Sequence, residues 1–298
     1  MLPVDRPPNL DAFGVTADDL LGRGGEAHVY ALDAERVLRI YKGDNLDYLD
    51  ERRAFYAGLR GHGLPFATPD ILEIGSREGA LYTVERRIHG RDFAQALPTL
   101  TGAARATALS SYLEVAGQIG TVRLPQHPFG ELVTPDTPIR RETWGDYLRA
   151  RMAAMLAGGR ADLEQDVPNF TAVLGQIEDR FSLVADWPEK RLVHGDYFPG
   201  NVFIDAEHRI CAVGDFGYST VAGDPRMDLV GAVIFLEVVE GYRPADSQFL
   251  LRQLADRLGD GWEAVVEFYR LYYSIYFSGC KADDPNTYWW CVGNLRAV

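Results

Sequence analysis

Three oxygen-bearing side chains stand close together in the second half of this chain. Asp196 and Asn201 lie in Val193-His-Gly-Asp-Tyr-Phe-Pro-Gly-Asn-Val202, and Asp215 follows in Val213-Gly-Asp-Phe-Gly217. Each sits beside an apolar run of strand character, and Pro199-Gly200 supplies a tight turn that brings Asn201 back. One carboxylate able to take a proton from a hydroxyl, with two further oxygens to hold a divalent cation on nucleotide phosphates, is the equipment of phosphoryl transfer. An isolated Asp-x-x-x-x-Asn would be read as local turn caps. The full His-Gly-Asp-x-x-x-x-Asn, followed fourteen residues later by Asp-Phe-Gly, is far more specific. Asp196 fills the role of base, so His194 is assigned to hydrogen-bonding the loop. The other histidines, His28, His62, His89, His127 and His208, share no metal-ligand spacing.

A second cluster lies near the start. Gly22, Gly24 and Gly25 occur in Leu21-Gly-Arg-Gly-Gly-Glu-Ala-His-Val29, a pattern that lets backbone amides approach phosphate oxygens while Val29 covers a base. Strand character on both sides distinguishes it from a Rossmann fingerprint, which opens a helix, and there is no Gly-Lys-Ser/Thr for a P-loop. In Arg36-Val-Leu-Arg-Ile-Tyr-Lys42 side chains alternate faces. If Val37 lines a nucleotide pocket, Arg39 points at the phosphates and can clamp them with its fork of donors. Lys42, on the other face, is the alternative. Glu51, on the helix that follows, is the carboxylate expected to pair with Arg39.

These groups need elements to position them. Ala27 to Leu32 and Arg36 to Tyr41 read as a hairpin turning at Asp33-Ala34; Ile71 to Ile74 and Ala80 to Val84 read as two more strands joined by 75–79. Leu46 to Leu59 has helical spacing. Beyond Ile88-His-Gly90 helical patterns dominate: Leu100 to Ile119, Trp144 to Leu156, Asn169 to Val184, Asp224 to Val239, Ser247 to Leu258 and Trp262 to Phe277, with a strand-like interruption from Asn201 to Val213. The expected class is α+β, with a small strand-rich lobe over 1–87 and a larger helical lobe over 88–298. Ligands often bind between such lobes.

The bulk properties narrow the partners. A net charge of −13 argues against nucleic acid, which is bound through clustered Lys and Arg. Three cysteines without paired spacing indicate neither a disulfide framework nor a zinc site, and they suit a reducing compartment. The opening segment lacks a basic start followed by an apolar core, so no leader is expected. The longest apolar run, Leu229 to Leu236, is far short of the roughly 20 residues that span a bilayer. A cytoplasmic enzyme acting on a small molecule is the expectation, with no preference for an oligomeric state.

Taken together, the motifs resemble those of aminoglycoside phosphotransferases and choline-kinase-type enzymes, within the protein-kinase-like fold. The resemblance extends over nearly the whole chain and includes Gly223-Asp-Pro-Arg-Met-Asp-Leu229. It implies transfer of the γ-phosphate of ATP or GTP to a hydroxyl of a small acceptor such as an aminoglycoside-like antibiotic. It implies Asp196 as catalytic base, with Asn201 and Asp215 as ligands of Mg2+. Gly22, Gly24 and Gly25 would sit over the phosphates and Arg39 would touch them. The hinge would be 84–87, so that Glu85 and Arg87 present backbone groups to the base. Asp228 would brace the catalytic loop, and Glu237 and Glu240 would face the acceptor. Two departures stand out: Arg39 where such enzymes carry Lys, and Phe216 beside the metal-binding Asp. A protein kinase fits less well, since only 218–223 separate Asp-Phe-Gly from Asp224. A nucleotide-binding regulator without turnover is the reading from a different class.

Overall fold

The structure is a computed structural model that describes residues 9–298. The first eight residues, on which the expectation of no leader largely rests, lie outside the described residues. After a short helix α1 (Leu10–Phe13) come strands β1 (Leu20–Arg23), β2 (Ala27–Ala31) and β3 (Arg36–Tyr41). Helix α2 (Leu46–Arg60) and strands β4 (Ile71–Arg77) and β5 (Ala80–Arg86) follow. The five strands form one antiparallel sheet in the order β1-β2-β3-β5-β4. One face of this sheet buries Tyr30, Leu38, Ile40, Tyr82 and Val84 against Phe13 and Val15. That apolar alternation leaves Val37 and Arg39 on the opposite face.

The remainder is mostly helical, with two small sheets. Its elements are β6 (Arg91–Asp92), α3 (Phe93–Ala96), α4 (Gly102–Ile119), β7 (Phe129–Glu131), β8 (Arg140–Arg141), α5 (Trp144–Asp166) and α6 (Phe170–Asp179). Strands β9 (Arg191–Val193), β10 (Val202–Ile204), β11 (Ile210–Val213) and β12 (Val221–Gly223) come next. Helices α7 (Arg226–Ile234), α8 (Pro244–Leu258), α9 (Trp262–Tyr276) and α10 (Pro285–Arg296) close the chain. The sheets run β11-β10-β6 and β8-β7-β12-β9. Strands β9, β10 and β11 are therefore the stems of the segment that carries Asp196, Asn201 and Asp215. The α+β expectation, a small antiparallel-sheet lobe before a larger helical one, matches this architecture.

Several elements depart from the sequence reading. Strand β4 runs on to Arg77, so the turn to β5 is only Glu78-Gly79, with Glu78 itself at positive φ. Helix α5 continues ten residues past Leu156 to Asp166, because Gly159 is buried and packs closely against Ser278. Helix α10 was not expected at all. Asp284 caps it by accepting the Thr287 N–H at 3.1 Å, and Pro285 occupies its first turn.

Candidate active site

The loop from His194 to Asn201 is held from three sides. Asp228, in the first turn of α7 and fully buried, accepts the backbone N–H of His194 at 2.6 Å and of Gly195 at 2.9 Å. The His194 ring is buried, with Nε2 2.8 Å from the Gly214 carbonyl and Nδ1 accepting the Asp196 N–H at 3.3 Å. Those partners assign the proton to Nε2 and spend both ring nitrogens on the loop. Burial lowers the pKa of His194 and keeps it neutral. Gly195 sits at φ 79°, where a Cβ would lie 1.9 Å from the Ser219 carbonyl oxygen. Only glycine closes that turn.

This frame brings Asp196 and Asn201 together. Asn201 Nδ2 donates to the Asp196 carbonyl at 2.9 Å and to Asp196 Oδ2 at 3.3 Å, which leaves Asp196 Oδ1 without a partner among the described residues. Burial, and then the charge of Asp215, push the Asp196 carboxyl up to about 6, with the Asn201 bond opposing them. Asp215 follows β11 in a left-handed conformation, φ 56°. Gly214 is bonded back to the Asn201 carbonyl at 2.7 Å, so Asp215 flanks Asn201 across the β10–β11 pair. Burial works to raise the pKa of Asp215, but the guanidinium groups of Arg39 and Arg52 outweigh it and hold it below the usual carboxylate value.

The donor set suits a hard divalent cation that keeps water and phosphate oxygens in its shell. Arg52 and Arg39 both approach Asp215 Oδ1, at 2.9 Å and 3.6 Å, while Oδ2 has no partner among the described residues. Asn201 commits its NH2 group to Asp196, which leaves its amide oxygen without a partner among the described residues. No group of three or more His, Cys, Asp or Glu among the described residues forms an all-protein metal cage.

The turn between β1 and β2 is joined to Asp215 through Arg52, which bonds Glu26 at 2.7 Å and Asp215 at 2.9 Å. Gly22 and Gly25 have φ values any residue adopts, and a Cβ on either would meet nothing within 4 Å. The local fold does not demand glycine there, so the open space over the turn is what their small size preserves. Lys42 Nζ bonds the Gly24 carbonyl at 2.9 Å, which occupies Lys42 on the turn itself. Arg39, by contrast, makes no side-chain hydrogen bond among the described residues; its nearest anions are Glu85 at 3.4 Å and Asp215 at 3.6 Å. Val29 pairs with Arg39, and Val37 with Glu85, in the sheet register. Val37 is buried but belongs to none of the apolar clusters.

Three expectations need correction. Glu51 does not pair with Arg39: it is exposed, because the helical period of α2 turns Tyr48, Leu49, Arg52 and Tyr56 inward instead. The partner of Arg39 is Glu85, whose side chain also accepts the Thr83 hydroxyl at 2.8 Å. The proposed hinge amides are partly spent. Arg86 N–H is donated to the Asp70 carbonyl at 2.9 Å and Arg87 N–H to Glu35 at 2.7 Å. The first amide past them without a partner among the described residues is that of Ile88. Glu237 is not open to an acceptor, since both its oxygens are taken by Arg270, at 2.6 and 2.7 Å, and one also by Trp290 at 2.9 Å. Glu240 is exposed in the turn after that segment.

Arg52 is the residue the sequence reading missed. Its side chain, 1% exposed, bonds Tyr56 at 2.7 Å, Glu26 at 2.7 Å and Asp215 at 2.9 Å. The signal was present: Arg52 lies four residues from both Tyr48 and Tyr56, on the one apolar face of α2.

A family model described as the phosphotransferase enzyme family matches residues 20–268. A search of curated proteins finds no match. Among solved structures, the chain is similar to the GDP and kanamycin complex of APH(2")-IIia, with TM-score 0.63 and 15% identity over 93% of this chain and 91% of that one. It is also similar to aminoglycoside phosphotransferase APH(3'')-Id from Streptomyces rimosus, with TM-score 0.57 and 15% identity over 96% of each chain. A third is an aminoglycoside-3'-phosphotransferase of type VIII, with TM-score 0.58 and 21% identity over 88% of this chain and 93% of that one. At such identities the likeness is one of fold.

Proposed function

The chain belongs to the phosphotransferase enzyme family, and on that premise we propose that it moves the γ-phosphate of ATP or GTP, as its magnesium complex, to a hydroxyl of a small acceptor. The observation that carries this reading is the pair of carboxylates whose environments push them apart. Asp196 is raised to about 6, while Asp215 is held ionised by two guanidinium groups. Two neighbouring carboxyl groups tuned in opposite directions divide the labour between proton acceptor and metal ligand. Asp196, fixed by Asn201, accepts the proton of the acceptor hydroxyl at its free Oδ1. Asp215 Oδ2 and the Asn201 amide oxygen would hold Mg2+, which when bound would neutralise charge on the phosphate oxygens. Arg39 directs its uncommitted donors at the phosphates, beneath the turn of Gly22, Gly24 and Gly25, and the base lies between Val29, Val37 and the backbone at Ile88. Catalysis is then positioning and electrostatics. The two lobes divide near residue 87, with this cleft between them.

A small acceptor is favoured over a peptide because 218–220 leads directly into strand β12, which pairs with β9 and β7 and leaves no long segment to receive a polypeptide. The solved neighbours bound to aminoglycosides make those compounds the first acceptors to try. The three cysteines are unpaired, in keeping with a cytoplasmic location. The test is transfer of label from γ-labelled ATP and GTP to a panel of aminoglycosides, macrolides, choline, sugars and amino-acid alcohols. We expect one acceptor class to be labelled, and Asp196→Ala to lower the rate by about 10²–10⁴-fold with nucleotide binding retained. Nucleotide binding without transfer to any acceptor would favour the regulator instead.

A further inference from the structure

We propose that Arg52 is a positioning residue that ties the glycine-rich turn to Asp215, and that its charge beside Asp215 sets how strongly nucleotide binding depends on the divalent cation. The proposal rests on the phosphoryl-transfer reading above. Protein kinases pair a lysine on the third strand with a glutamate on the following helix. Here the strand residue and the helix residue that meet Asp215 are both arginine. The strand residue, Arg39, finds its anion on β5, in Glu85 at 3.4 Å. The helix residue, Arg52, instead reaches across to the far side of the cleft.

One buried guanidinium thus serves two places that must move together. Nη1 holds Glu26, the residue just after Gly24-Gly25, at 2.7 Å; Nη2 holds Asp215 Oδ1 at 2.9 Å. Tyr56 locks the fork from behind, accepting from Arg52 Nε at 2.7 Å and donating to the Phe216 carbonyl at 2.9 Å. Tyr48 donates to Glu26 at 3.2 Å and completes the cage. A planar fork with fixed donor directions can hold both carboxylates at once, which a lysine cannot.

The charges set the consequence. A cation bonded to Asp215 weakens the field that this carboxylate offers to a metal ion, and strengthens the field offered to phosphate. With Arg39 beside it, the site carries two permanent cations: Arg39, whose donors are uncommitted, and Arg52, buried against Asp215. Nucleotide should therefore bind appreciably without a divalent cation, and Mg2+ should add less than it would at an unopposed carboxylate.

Titrations of the full-length chain with fluorescent ATP and GTP analogues, in the presence and absence of Mg2+, test this. Arg52→Gln is expected to weaken metal-free binding about tenfold and to enlarge the factor by which Mg2+ tightens binding, also about tenfold. Arg52→Lys keeps the charge and should keep the wild-type Mg2+ factor. Glu26→Gln frees the guanidinium and should tighten metal-free binding. Equal weakening with and without Mg2+ in Arg52→Gln would mean a merely structural role and overturn the proposal. If that variant does not fold, weaker metal-free binding in Glu26→Gln, or an altered Mg2+ factor in Arg52→Lys, would overturn it. Wild-type protein that binds neither nucleotide would remove the phosphotransferase reading itself, and this inference with it; wild-type binding with an unchanged Mg2+ factor in Arg52→Gln removes this inference alone.

Discussion

At the scale of single residues, Asp196 bears a cost that the fold must carry. Its folded-state pKa of about 6 lies above the ordinary carboxylate value of 3.8. The folded protein therefore holds this proton more tightly than the unfolded chain does. Ionisation costs stability, beginning as pH rises past about 4 and complete above about 6. Asn at this position removes the charge and keeps the shape. Asp196→Asn, without metal or nucleotide, should melt higher than wild type at pH 8, and the gap should close as pH falls from 6 to 4. Equal melting temperatures across that range would contradict the origin assigned to the shift. Glu237 gives a second residue-scale prediction. Its bidentate pair with Arg270, bonded also to Trp290, is internal structure. Glu237→Ala should lower stability by about 1–3 kcal/mol in denaturant titrations without changing which acceptors are used. Asp196, Asn201 and Asp215 were legible because side-chain chemistry and spacing are local properties. Glu237 was misread because its partner comes from α9, 33 positions away in the chain.

At the scale of elements, the two glycine-bearing turns look alike in sequence and differ in physics. Gly195 is required by the fold: its φ is positive, and a Cβ would meet the Ser219 carbonyl at 1.9 Å. Gly25 is not: it has an ordinary φ and open space around the missing Cβ. Gly195→Ala should cost several kcal/mol, as left-handed strain and a backbone clash combine. Gly25→Ala should leave stability within about 0.5 kcal/mol and weaken nucleotide binding. Thermal melts paired with nucleotide titrations separate the two; a large stability loss in Gly25→Ala would remove the phosphate argument for that turn. Strands β2, β3 and β5 were readable from alternation, since one face of their sheet is apolar and the pattern has period two. The short strands β7 and β8 were not, because two or three residues carry no period. Arg52 was hidden by its chemistry. Charge suggested a solvated side chain, whereas the helical period of α2 places it inside.

At the scale of the whole molecule, the match to the family ends at residue 268, inside α9, but the folded unit does not. Helix α10 buries Tyr288, Cys291, Val292 and Leu295 almost completely. Its Asn294 donates to Ser274 on α9 at 3.1 Å, and its Trp290 donates to Glu237 at 2.9 Å. Its Tyr288 hydroxyl and Arg296 fasten Asp166 at the end of α5. This helix therefore closes α5 and α9 at once. Those two helices in turn back the catalytic segment: Trp144 on α5 donates to Tyr269 on α9 at 3.1 Å, and Tyr269 donates to buried Asp224 at 2.6 Å, just before α7 and its Asp228. Four apolar side chains returned to water cost about 1.5–3 kcal/mol each, a sum comparable with the roughly 5–15 kcal/mol that holds a whole protein folded. A chain stopped at Asp284 should therefore lose its cooperative melt and its nucleotide binding together, even though every motif residue is retained. The comparison is between full-length and truncated protein in calorimetry and nucleotide titration. A truncated form that melts cooperatively within a few degrees of the full chain would show that α10 is an appendage, and that the support of the catalytic segment ends at α9.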